Sequence, residues 1–93
     1  MKKSETDKTA VTAANRALRE AEGHNYRQAA ALYAEAAATP GLEKPLQWKY
    51  RTEQALMLAE TGREARDTQA LEQAIELYEK TVLDLAPRND RPD

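Results

Sequence analysis

The sequence predicts an all-α chain of four helices arranged as two antiparallel pairs, and three observations predict it. Of its 38 apolar residues 18 are alanine, which leaves 20 larger apolar side chains for a core. A chain of 93 residues buries only about 65% of its unfolded surface, so the core must be thin, with alanines letting helices approach closely. Three glycines, four prolines and no phenylalanine argue against a turn-rich sandwich or barrel. Finally, apolar residues recur at helical spacing in four successive stretches.

Residues 1–9 show no apolar period and are expected to be a flexible N-terminal arm, with any helix there starting at Ser4 or Thr9. The helical repeat domain is expected over 10–87, its first pair at about 10–40 and its second at about 45–87. Ala10, Ala14, Ala17, Leu18 and Ala21 lie on one face of a first helix, which Gly23 is expected to end. Asn25 followed by Gln28 has the spacing of an N-cap with its capping box. Tyr26, Ala29, Ala30, Tyr33 and Ala37 form the second stripe, closed by Pro40 and Gly41.

Pro45 suits the first turn of a third helix, where its missing N–H is not needed. Trp48, Thr52, Ala55, Leu56 and Ala59 give that helix its stripe, and Gly62 its expected end. Arg63 to Asp67 is either loop or an extra helical turn. Asp67 or Thr68 caps a fourth helix with the stripe Leu71, Ala74, Ile75, Tyr78, Val82 and Leu85, which Pro87 ends. Residues 88–93 hold no core residue and are expected to be a disordered tail.

The stripes repeat. The first recurs 38 residues later as the third, and the second recurs 45 residues later as the fourth. Residue types repeat as well: Ala17, Leu18 and Ala21 return as Ala55, Leu56 and Ala59, and Ala29 and Tyr33 return as Ala74 and Tyr78. The pattern is that of a duplicated helix pair, the second copy carrying seven extra residues in its internal loop.

Ala29, Tyr33 and Pro40, then Ala74, Tyr78 and Pro87, resemble the second helix of the tetratricopeptide (TPR) repeat. Pro45-Leu46-Gln47-Trp48, with Gln54-Ala55-Leu56 and Gly62, resembles the opening of that family's longer bacterial variants. The Leu-Gly pair of the family's first helix is absent, and the spacing between pairs is 38 to 45 residues rather than 34. The resemblance covers residues 10–87 and implies a short TPR-like α-solenoid of two stacked pairs. A four-helix bundle built from the same helices is the alternative architecture.

Little in the sequence carries chemistry. The chain has no cysteine, so a disulfide framework or a Cys-based zinc or redox site is excluded. His24 is the single histidine and sits in a polar turn; Ser4 is the single serine and sits in the arm. No glycine-rich phosphate loop occurs. No catalytic, metal or cofactor residues are expected, and the chain is read as a non-enzyme. The net charge is −2, and Arg16, Arg19, Arg27, Arg51, Arg63 and Arg66 are interleaved with Glu20, Glu22, Glu53, Glu60 and Glu64. That mixture breaks up any phosphate-tracking stripe, so nucleic acid is not an expected partner. No apolar run approaches a membrane span, and no helix joins a wide apolar face to a basic one. The expected location is cytoplasmic.

The resemblance implies a protein-interaction module in which the first helix of each pair lines a groove for a peptide or partner helix. The groove-facing positions are Arg16 and Glu20 on the first helix and Tyr50, Arg51, Gln54 and Leu58 on the third. Trp48 belongs to the core, or, at a groove mouth, is a binding hot spot. The alternative is a self-assembling structural subunit, because two repeats fall short of the three usually needed for a stable solenoid. A homodimer or a partner helix would then meet a flank of the fourth helix, at Ala70, Leu77 and Thr81, that this chain leaves exposed.

Overall fold

The order of elements follows the apolar pattern: α1 (Lys3–Glu22), α2 (Tyr26–Ala37), α3 (Lys44–Ala65) and α4 (Thr68–Leu85). A computed structural model describes residues 3–85, with side chains described from residue 8 to residue 84. Part of the expected arm is therefore helix, because α1 begins at Lys3 rather than after residue 9. The expected tail, 88–93, lies outside the described residues.

Both pairs close with the same turn. After α1 the Asn25 N–H donates to the Glu20 carbonyl at 2.8 Å, with His24 in the left-handed region at φ 66°. After α3 the Asp67 N–H donates to the Gly62 carbonyl at 2.9 Å, with Arg66 at φ 55°. These closures satisfy carbonyls that the last helical turn leaves open. Their equivalent residues stand 42 apart (20 and 62, 24 and 66, 25 and 67). The seven extra loop residues expected in the second pair are not there; the added length is helix, since α3 runs through Gly62 to Ala65.

Gly62 is thus a packing residue, not a helix terminator. A Cβ at this position would lie 2.5 Å from Leu71 Cγ and 3.1 Å from the Asp67 carbonyl oxygen. Only a bare backbone lets α4 leave its turn so close to α3. At the first turn the expected capping box does not form: Asn25 makes no side-chain cap bond, and its Nδ2 donates instead to Glu20 Oε1 at 2.9 Å. At the second turn Asp67 is the cap, accepting from the Ala70 N–H at 3.2 Å. Between the pairs, Gly41 takes φ 80°, Glu43 is extended and Pro45 sits in the first turn of α3.

Among the described residues only consecutive helices pack along their lengths: α1 on α2, α2 on α3 and α3 on α4. The stack is open, a slab of 40 × 38 × 17 Å. A four-helix bundle would bring the last helix back to the first, and here it does not return. The principal core joins Ala10, Ala17, Ala29, Leu32, Tyr33, Ala36 and Ala37 to Leu42 and Tyr50, with Leu46 and Met57 packed against it. It draws on α1, α2, the α2–α3 connection and α3.

α4 is held differently. Ala70, Ala74 and Thr81 are buried and Leu77 half-buried, at the spacing of one helix face. The expected core stripe is borne out at Ala74, which is buried, and in part at Leu71, which is half-buried; its Ile75, Tyr78 and Val82 stand beside that face, 58%, 48% and 40% exposed. The exposed flank expected at Ala70, Leu77 and Thr81 is corrected accordingly, because α4 packs on α3 and the small side chains at 70, 74 and 81 are the buried ones. The Thr81 hydroxyl is enclosed without a hydrogen-bond partner.

Candidate functional site

The six positions expected to line one groove fall on several surfaces. Arg16 lies in a shallow depression between α1 and α2, beside Glu35 and Thr39. Glu20 lies at the turns, where it accepts from Asn25. Tyr50 is buried in the core. Gln54 and Leu58 are brought together, in a cleft with Leu77 and Lys80 of α4. Arg51 is half-buried on α3. The physical reason is rotation about α3: Tyr50, Gln54 and Leu58 advance by about 40° at each step of four residues. The series therefore moves from the α2 side towards the α4 side.

A groove between the first helices does exist, and of the six expected positions it keeps Tyr50. Val11, Ala14, Asn15 and Leu18 of α1 form one wall, and Lys49, Tyr50 and Glu53 of α3 form the other. Tyr33 of α2 joins Tyr50 at the floor, and the enclosed space is about 250 Å³. Val11 and Leu18 stand seven residues apart on the open lip, 43% and 51% exposed. Lys49 and Glu53 put one cation and one anion on the facing wall. Burial pushes the Tyr33 phenol above its ordinary value, and the Glu53 carboxylate and Tyr50 add to the shift. The floor is thus neutral and aromatic, while the lip is aliphatic with a charged edge.

The signal for this groove was present in the sequence. Leu18 is the large residue of the first stripe, and Val11 lies one turn from Ala14 and two turns from Leu18. A stripe with alanine at its centre and a large residue at its edge is a helix that packs through the alanines and leaves the large residue beside the contact. Trp48 sits apart from these groove residues, half-buried, with its indole N–H enclosed and unpaired.

A second, polar cleft of about 650 Å³ lies where the two turns meet, lined by Glu20, His24, Tyr26, Arg27, Thr61 and Glu64 among others. Two side-chain contacts cross it or border it: His24 Nδ1 lies 3.6 Å from Glu64 Oε2, and Arg27 Nη2 makes an ion pair with Asp67 Oδ2 at 3.2 Å. The Ala70 N–H holds the Asp67 carboxyl below its ordinary value, and Arg27 adds to that shift. These contacts tie one turn to the other. Both members of the His24 pair are largely exposed, and among the described residues no three His, Cys, Asp or Glu side chains converge as a metal site. No described helix is long and apolar enough to cross a membrane.

No protein-family model, no curated protein and no solved structure matches the chain.

Proposed function

We propose that the chain is a non-catalytic protein-interaction module, working in the cytoplasm, that holds a peptide or partner helix in the groove between α1 and α3. One observation carries this reading: the first helix of each pair contributes a wall, and Val11 and Leu18 stand open over a floor of Tyr33 and Tyr50. The TPR-like pattern of the second helices supports it, since that family uses the surface along its first helices for binding. An extended or helical peptide would seat an apolar side chain between Leu18 and Tyr50. Its polar groups would meet Lys49 and Glu53.

Peptides selected from a displayed library on the native chain test this. Leu18 is half exposed, so Leu18→Glu should keep its helical circular dichroism. The selected peptides should bind that variant at least about tenfold more weakly, the loss expected when a hot-spot contact is removed. Peptides that bind the variant and the native chain equally would place the function elsewhere.

A further inference from the structure

The second helices of the two pairs carry the same two faces but keep different company. On α2 one face holds Ala29, Leu32 and Ala36 and the adjoining face Ala30, Tyr33 and Ala37; all six are buried. Tyr50 and Glu53 of α3 stand beside Tyr33. The second of these faces is therefore the one that α3 covers.

Forty-five residues on, α4 repeats both faces. Ala74, Leu77 and Thr81 take the place of Ala29, Leu32 and Ala36 and turn inward. Ile75, Tyr78 and Val82 take the place of Ala30, Tyr33 and Ala37, and all three are open. The face that receives a helix in the first pair receives none in the second among the described residues. It is also more apolar there, with isoleucine and valine where α2 has alanine.

We propose that Ile75, Tyr78 and Val82 dock an amphipathic α-helix of a partner protein, laid on α4 as α3 is laid on α2. The surface continues a packing interface already made once in this molecule. Its charge describes the rest of the partner. At about 100° per residue, Glu72 and Glu79 border the solvent edge of the stripe, and both are exposed. The docked helix presents small aliphatic side chains to α4 and lysines or arginines to that acidic edge.

Other occupants fit less well. A second copy stacked head to tail would offer α1. The places of Leu46, Tyr50 and Met57, the α3 residues of the core, are taken on α1 38 residues earlier by Lys8, Thr12 and Arg19. All three are exposed and polar. A second copy paired antiparallel, α4 to α4, about a twofold axis would bring the two acidic edges together, Glu72 of one copy towards Glu79 of the other, and like charges in apposition are unfavourable. Residues 86–93 hold only Ala86 and two prolines among apolar side chains, too few to cover three large ones.

The test uses the whole chain and a fluorescein-labelled synthetic helix of about 20 residues, striped with alanine and leucine and edged with lysine. A companion peptide carries glutamate at the edge positions. Fluorescence anisotropy should give a dissociation constant of micromolar order for the lysine-edged peptide. The glutamate-edged peptide should bind at least about tenfold more weakly, and Ile75→Glu and Val82→Ala should each weaken the lysine-edged one. Amide shifts should move along α4 and not at Val11 or Leu18, which separates this surface from the α1–α3 groove. Unchanged or tighter binding to Ile75→Glu would mean charge attraction alone and would overturn the proposal. So would absence of binding, or shifts centred on α1. Self-association of the native chain that Ile75→Glu abolishes would also overturn it, by giving the face to a second copy.

Discussion

α2 and α4 are near copies in pattern and opposites in environment. Tyr33 and Tyr78 occupy the same place in the two helices, yet Tyr33 is 6% exposed and Tyr78 48%. Nothing in either helix produces that difference. It comes from α3, which follows α2 and lies against it, whereas among the described residues no helix follows α4. An apolar stripe states what a helix can bury; its neighbours decide what it does bury. The second pair is therefore fastened by small side chains on one interface, while the first shares a core drawn from three helices.

The largest expected effect separates the two tyrosines directly. Tyr33→Ala empties a site at the junction of α1, α2 and α3, and should cost about 3–5 kcal/mol, as large aromatic truncations in cores do. Tyr78→Ala removes a side chain already half in water and should cost no more than about 1 kcal/mol. Urea unfolding of both variants checks this. Equal losses would mean that the α4 face is covered in solution, and the contrast between the pairs would disappear.

Next in size is the contact that fastens the second pair. Gly62→Leu sets a side chain where even a Cβ lies 2.5 Å from Leu71 Cγ. Overpacking of this kind costs roughly 1–3 kcal/mol. The cost should fall unevenly: amide hydrogen exchange should speed up along α4 while α1 and α2 stay protected, because the principal core holds no α4 residue. Uniform loss of protection would show that the two pairs unfold as one unit.

How far the sequence disclosed this arrangement varies from helix to helix. α2 was legible because its two partners cover adjoining faces, so Ala29, Ala30, Tyr33 and Ala37 form one broad buried stripe. α3 was harder, since it packs on α2 and α4 from different sides. Of its stripe Ala55 is buried, Trp48, Thr52 and Ala59 are half-buried and Leu56 is open, while Leu46, Tyr50 and Met57 reach the core from another face. Two partly overlapping contact faces blur a single helical period. The same blur displaced the α3 wall of the groove: Tyr50 belongs to its floor, but Gln54 and Leu58 belong to the cleft with α4, while Arg16 and Glu20 of α1 lie on other surfaces. On α4 the apolar stripe divides: Ala74 is buried and Leu71 half-buried against α3, while Ile75, Tyr78 and Val82 stay open because among the described residues no helix lies over them. Gly62 reads as a stop signal in the sequence, since a glycine has the same letter whether it ends a helix or, as here, lets one approach.

The smallest expected effects compare the two turns, which share a backbone and differ in their caps. Asn25 precedes α2 without capping it, its side chain making only an exposed bond to Glu20. Asn25→Ala should therefore change stability by no more than about 0.5 kcal/mol. Asp67, 42 residues on, accepts from the Ala70 N–H and from Arg27 across the turns. Asp67→Ala should cost more than Asn25→Ala, and the excess should depend on pH. The Asp67 carboxyl is held below its ordinary value, first by the Ala70 N–H and then by Arg27. A carboxyl lowered by folding contributes stability that is present above its unfolded value, about 4, and is lost as pH falls through the folded value. The gap between Asp67→Ala and Asn25→Ala should thus be open at neutral pH and close on acidification. Asp67→Asn should be intermediate, keeping an acceptor for the cap and losing the charge that faces Arg27. Thermal melts of the three variants from pH 7 down to about pH 2 measure it. A gap that persists at the acid end would show that Asp67 acts through its shape at the turn and not through its ionised carboxylate.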